Sequence, residues 1–177
     1  MIMKRYLFAA VVAIAAASVS TRLDAQQAAA PTMQATLAKD AATLSDKFSG
    51  LARVMAGKYD WKPGQGVRSV ADVFNLIVME NGMLTGTITG APGGRGGRGP
   101  QVTDPAQLQE ALTTSYAALQ KAISGLSDAD LKAPVKLFGM DFTKQGAIMF
   151  LLSDQHEHLG QSIAYARSNG VVPPWSK

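Results

Sequence analysis

The sequence predicts an all-α protein built as a four-helix bundle, with a short hairpin-like or extended segment before the last helix. Three observations lead to this fold class. Apolar residues recur three and four positions apart along four long segments, capping residues and glycine or proline breaks separate these segments, and no long stretch is rich in strand-forming residues. Amphipathic helices of this kind bury their apolar stripes against one another.

The N-terminus has the pattern of a secretory signal peptide. Lys4 and Arg5 precede a run of apolar or small residues over 6–19, which is short for a membrane span. We therefore expect residues 1–25 to be a cleaved signal, which leaves no membrane span and makes the protein periplasmic or secreted. An uncleaved membrane anchor is the alternative. Residues 26–32 follow as a polar, alanine-rich leader that we expect to be flexible.

Length and composition narrow the range of functions. A chain of 177 residues is long enough for one domain with a real core, which we place at residues 33–177. It contains no cysteine, which excludes disulfides, thiol catalysis and cysteine-ligated metal sites. The net charge of +4 falls to +2 without the signal, because Lys4, Arg5 and Arg22 leave together with Asp24. This charge does not indicate a nucleic-acid partner.

The first two helices can be placed from their breaks. The first spans about 32–56 and is followed by a loop over 58–68 that is rich in glycine and proline. Ser69 is a good N-cap for the second helix, with Asp72 in its first turn. The polar Asn81 stands on the apolar stripe of this helix and is a candidate buried polar contact. The stripe of the first helix consists of Leu37, Ala41, Leu44, Phe48, Leu51 and Met55.

The second half of the chain begins with a glycine- and arginine-rich connection over 87–103, which we expect to be a flexible loop. Its glycine spacing matches the consensus sequence of the dinucleotide-binding motif. No strand precedes it, however, so no cofactor is expected there. Asp104, followed by proline, caps the third helix. Residues 134–141 suit a small hairpin or an extended crossing segment. Thr143 then caps the last helix.

Both histidines of the protein, His156 and His158, lie on the last helix. Two positions on a helix differ by about 200°, so these side chains cannot converge on one ion. Asp154 lies four positions before His158 and therefore shares a helix face with it. A plain Asp154–His158 ion pair would account for both residues without a metal.

Five segments, taken in order and spacing, resemble the DinB-like (DinB/YfiT) superfamily, in particular a secreted bacterial subgroup. They are Tyr59–Pro63, Val67–Phe74, Leu126–Leu131, His156–Gln161 and Gly170–Pro174. The resemblance covers about residue 33 to the end. It implies a four-helix bundle with an up-and-down arrangement and the possibility of a homodimer.

The resemblance also implies a metal site, but the ligand positions are altered here. Family members with a metal use one histidine from the second helix and two from the fourth, four positions apart. His158 matches one of these positions, Asp154 stands at the second, and Leu76 replaces the histidine of the second helix. Leucine cannot bind a metal, whereas Asp is a legitimate ligand. Glu80, one turn beyond Leu76, is a candidate third ligand.

Two functional hypotheses follow. The loss of a ligand at Leu76 and the export signal favour a non-catalytic, metal-free DinB-like protein, with a degenerate site, that binds a small molecule or a partner. The alternative is a metal-dependent transferase or hydrolase in which zinc, nickel or iron is held by His158, Asp154 and Glu80. No serine lies in a nucleophile motif, and the sequence leaves the catalytic residues unassigned.

Overall fold

Most of the chain that the computed structural model describes, residues 30–91 and 101–176, is helical. The predicted signal, most of the predicted leader, and residues 92–100 lie outside the described residues. No helix of the described part is long and apolar enough to cross a membrane. In chain order the helices are α1 (Met33–Val54), α2 (Val70–Thr89), α3 (Pro105–Ser124), the short α4 (Asp128–Lys132) and α5 (Lys144–Ser168). A 3-10 turn at Ala56–Lys58 follows α1, and strands β1 (Pro134–Leu137) and β2 (Met140–Thr143) precede α5.

The four long helices share one core. Both α1 and α2 pack against α3 and α5. The predicted stripe of α1 is buried, and Leu44, Phe48 and Leu51 are 0% exposed. The ring of Phe48 meets Phe74 of α2 edge-on and stacks on Tyr116 of α3, with centroids 6.3 Å apart in both pairs. Burying each large apolar side chain contributes about 1.5–3 kcal/mol, so these contacts hold α1, α2 and α3 together.

The predicted N-caps are present and determine where the helices begin. The hydroxyl of Ser69 accepts from the Asp72 amide, and the Asp72 carboxylate accepts from the Ser69 amide, which completes a capping box on α2. Asp104 caps α3, and Thr143 caps α5. Each cap satisfies amide groups that have no partner inside the helix.

The predicted loop over 87–103 is shorter than the sequence suggested. Helix α2 continues to Thr89, because the completely buried Ile88 holds its last turn in the core. At the other end of the connection, Val102 exchanges two hydrogen bonds of 2.9 Å with the side chain of Asn75. At the end of α2, the packing of Ile88 outweighs the low helix propensity of threonine and glycine.

The segment before α5 is a hairpin, the first of the two structures that the sequence allowed. Strands β1 and β2 are antiparallel, with Pro134 opposite Thr143 and Leu137 opposite Met140. Phe138 and Gly139 form the turn with φ angles of 52° and 79°. Two positive φ angles match the twist of a tight hairpin, although phenylalanine adopts this conformation less readily than glycine.

Candidate metal centre

Three potential ligand side chains meet where α2 faces α5, and we call them the Glu–Asp–His cluster. Glu80 comes from α2, whereas Asp154 and His158 come from α5. One ligand atom of each side chain lies within 4.8 Å of the other two. His158 Nε2 and Asp154 Oδ2 are 3.5 Å apart, because residues four positions apart share a helix face.

Burial differs across the Glu–Asp–His cluster. Glu80 is only 4% exposed, because it lies between Ile77 and Leu84 on the buried face of α2. The side chains of His158 and Asp154 are 17% and 39% exposed. The cluster is therefore closed on the Glu80 side and open to solvent on the Asp154 side.

The pKa of the Glu80 carboxyl group lies far above its ordinary value. Burial, together with the nearby charge of Asp154 and a hydrogen bond to its side chain, raises the pKa of Glu80 from 4.5 to about 8. A hydrogen bond from Gln155 and the charge of Arg68 act in the opposite direction. Glu80 Oε2 is buried and has no hydrogen-bond partner among the described residues. A buried polar atom without a hydrogen-bond partner is rare in folded proteins.

A chain of hydrogen bonds determines which nitrogen of His158 faces the cluster. The Tyr165 hydroxyl donates to the Arg68 carbonyl oxygen at 3.2 Å, so it accepts from Gln161 Nε2 at 2.8 Å. The oxygen of the Gln161 amide is then directed at His158 Nδ1, at 2.9 Å. Since an amide oxygen only accepts, Nδ1 carries a proton, and Nε2 is the nitrogen that faces Asp154.

The Glu–Asp–His cluster therefore brings two carboxyl groups and one imidazole nitrogen together. Two carboxylates and an imidazole nitrogen repel one another unless a proton or a cation lies among them. They are also a suitable donor set for a divalent ion. Two ligands at about 2.1 Å from a tetrahedral ion lie roughly 3.4 Å apart, close to the separation of His158 and Asp154. The residues present fit a divalent metal.

The predicted site residues have distinct places in the structure. Asp154, His158 and Glu80 come together, and Asp154 and His158 also make the plain i,i+4 pair that the sequence allowed. His156 points elsewhere and its Nε2 lies 3.0 Å from Asp40 Oδ1 on α1, as its spacing from His158 predicted. Leu76 lies one turn before Glu80 on α2 and offers no ligand atom.

A network of hydrogen-bonded polar side chains lies beside the cluster, and the sequence predicted only part of it. Gln155 is completely buried, accepts from the Tyr116 hydroxyl at 2.9 Å and donates to Asn81 Oδ1 at 2.9 Å. Asn81 in turn donates to the Ser115 hydroxyl at 3.1 Å. Asn81 is the buried polar contact that the sequence predicted. Gln155 was missed, although its spacing from Leu152 and Leu159 places a polar side chain on the apolar face of α5.

The residues that orient His158 were also missed. Gln161 and Tyr165 continue the face of α5 by steps of three and four, which is a signal the sequence contains. Arg68 could not be found this way, because only the packing of its loop brings its carbonyl to Tyr165. A group that hydrogen-bonds the other ring nitrogen of a metal-ligating histidine holds the imidazole in one orientation.

Comparison with known proteins agrees with this fold. A DinB-like protein from Bacillus cereus has a TM-score of 0.65 at 18% identity, covering 76% of this chain and 91% of that chain. A DinB-like protein from Bacillus subtilis has a TM-score of 0.62 at 16% identity, covering 76% and 92%. No curated protein matches the sequence. The sequence model of the DinB superfamily matches residues 41–162, more than half of the chain, and the protein therefore belongs to the DinB superfamily.

Proposed function

We propose that this protein is an exported DinB-like four-helix-bundle protein that binds one divalent metal ion through Glu80, Asp154 and His158, and a small ligand at the open side of that ion. The observation that carries the proposal is the convergence of three potential ligand side chains, including the buried and unpartnered Glu80 Oε2. Zinc, nickel and iron all suit one imidazole and two carboxylates. Leu76 removes one ligand of the family pattern, and Glu80 replaces it from the next turn.

Each residue of the cluster has a separate task in this function. His158 presents Nε2 because Gln161 holds its other nitrogen. Glu80 lies on the closed side, where its burial excludes water. Asp154 lies on the open side, where its partly exposed carboxylate adjoins the approach of a ligand from solvent. A bound divalent ion supplies Lewis-acid chemistry.

A metal-dependent transferase or hydrolase is the second candidate function. The exposure of Asp154 favours it, because a substrate and a water molecule need access to the same side of the site. Metal-dependent turnover that is lost in His158→Ala would distinguish this function from ligand binding alone. Absence of turnover in the metal-loaded protein with a panel of esters, amides and thiol acceptors would contradict it.

His158→Ala is expected to abolish stoichiometric metal binding, whereas His156→Ala is expected to leave it intact. The two variants are matched because both remove a partly exposed imidazole from α5, and only one of them belongs to the Glu–Asp–His cluster. Removing a group that hydrogen-bonds a metal-ligating histidine weakens metal affinity by about 10–100-fold. Removing the histidine itself should weaken the affinity more. The measurement is zinc and nickel affinity by calorimetry, with metal content determined by mass spectrometry.

Two outcomes would overturn the metal proposal. One is a parent protein that binds no zinc, nickel or iron after each has been supplied in excess. The other is equal metal affinity in His158→Ala and His156→Ala. Unfolding in the presence of a chelator shows whether either variant has lost its fold.

Export is the part of the proposal that depends on residues 1–25. The positive start and the apolar run over 6–19 support it. Expression of the full chain in a Gram-negative host, followed by fractionation and intact-mass measurement, should give a shortened protein outside the cytoplasm. A full-length protein that remains in the cytoplasm would contradict export.

A further inference from the structure

The loop that ends at Arg68 is tied to the Glu–Asp–His cluster by its backbone. The Trp61 ring packs edge-on against Tyr165, with centroids 5.2 Å apart, and the Val70 amide donates to the Trp61 carbonyl at 3.0 Å. The Tyr165 hydroxyl donates to the Arg68 carbonyl, and only Gln161 separates Tyr165 from His158. Arg68 therefore starts from a fixed position close to the histidine of the cluster.

The side chain of Arg68 is available for a ligand. Arg68 is exposed, and its guanidinium has no hydrogen bond or ion pair within residues 30–91 and 101–176. The charge of Arg68 also reaches the cluster, because it opposes the effect of burial on the pKa of Glu80.

We infer that Arg68 recognises a negatively charged group, a carboxylate or a phosphate, on the ligand that enters the open side of the Glu–Asp–His cluster. This inference rests on the proposed metal function. Two carboxylates balance the charge of a divalent ion, so the charge of Arg68 remains uncompensated and attracts an anion. A guanidinium also matches the two oxygens of a carboxylate or phosphate with parallel N–H donors.

The test uses the Co(II)-loaded protein, whose visible spectrum reports a ligand that coordinates the ion. Oxalate and inorganic phosphate are the anionic probes, and imidazole is a neutral probe that coordinates without carrying charge. Arg68→Ala should weaken oxalate and phosphate binding by about tenfold or more, the range for hydrogen bonds to charged groups, and should change imidazole binding less than twofold. Arg68→Lys should recover part of the loss, because it restores the charge without the paired donors.

Arg53→Ala, which removes an exposed arginine from α1, is the control and should bind all three probes as the parent does. Equal oxalate and phosphate affinity in Arg68→Ala and the parent would overturn the assignment of Arg68 while leaving the metal site intact. An equal loss of imidazole binding in Arg68→Ala would also overturn it, because the residue would then act on the metal site itself. A parent protein without a Co(II) spectrum would overturn the metal function and this inference together.

Discussion

Replacing Glu80 by glutamine should stabilise the metal-free protein at alkaline pH and abolish metal binding. Glutamine has the same shape, carries no charge to bury, and can donate to the Asp154 carboxylate. The variant separates two effects of Glu80. Its buried carboxylate lowers the stability of the metal-free fold, and the same carboxylate supplies the third metal ligand. Thermal unfolding of chelator-treated protein between pH 5 and pH 9 measures the first effect, and calorimetry with zinc or nickel measures the second.

The direction of the pH dependence follows from the raised pKa of Glu80. The unfolded chain loses this proton near 4.5, whereas the folded protein keeps it up to about 8. The folded state therefore binds more protons between these values, and its stability falls as the pH rises through this window. The difference corresponds to about 5 kcal/mol as an upper value. Relative to Glu80→Gln, the melting temperature of the parent should fall by roughly 10 °C from pH 5 to pH 9.

Glu110→Gln is the matched control, because Glu110 is exposed on α3. This variant should follow the pH profile of the parent and bind metal normally. If the melting temperatures of Glu80→Gln and the parent change with pH in parallel, the pKa of the Glu80 carboxyl group is not raised in the folded protein. If Glu80→Gln still binds metal with the affinity of the parent, Glu80 is not a ligand.

Gln155→Leu should destabilise the protein by about 2–4 kcal/mol, although leucine continues the apolar face of α5. The substitution leaves the Tyr116 hydroxyl and Asn81 Oδ1 buried without the partner that each has in the parent. Desolvating these groups without a hydrogen bond outweighs the gain from burying a larger apolar side chain. Urea unfolding at neutral pH is the measurement.

A second substitution tests whether the buried groups left without hydrogen-bond partners cause this loss of stability. Tyr116→Phe in the Gln155→Leu background removes one of the orphaned groups and should recover about 1 kcal/mol. In the parent background the same Tyr116→Phe change should destabilise, because it orphans Gln155 Oε1. Gln107→Leu on the exposed face of α3 should change stability by less than about 0.5 kcal/mol. Equal costs for Gln155→Leu and Gln107→Leu would show that the buried network contributes little.

Local features of the fold were predictable from the sequence. The caps at Ser69, Asp104 and Thr143 depend on short-range hydrogen bonds, and the stripe of α1 depends on the helical period. The end of α2 was not predictable, because Ile88 stays helical through its burial in the core rather than through its neighbours in sequence. Threonine and glycine near the end of α2 gave a loop signal that tertiary packing overrode.

Some features of the candidate site were also predictable from the sequence, and others were not. The spacing of Asp154 and His158 on one helix face is a property of the sequence, as is the divergence of His156. Whether Glu80 reaches them depends on the register between α2 and α5, and no local pattern specifies that register. The protonation state of Glu80 depends in turn on burial, which exists only in the folded protein.

By itself, the sequence determined the helices, most of their caps, the DinB-like resemblance and the residue types that could form a site, because these depend on local periodicity and local hydrogen bonding. Only the tertiary structure decided that Glu80 joins Asp154 and His158, that Gln161 and Tyr165 orient the histidine, and that Arg68 lies nearby. These facts depend on how separate helices and a loop pack around one core. Packing brings distant residues together and removes water from Glu80, and no single segment encodes either effect.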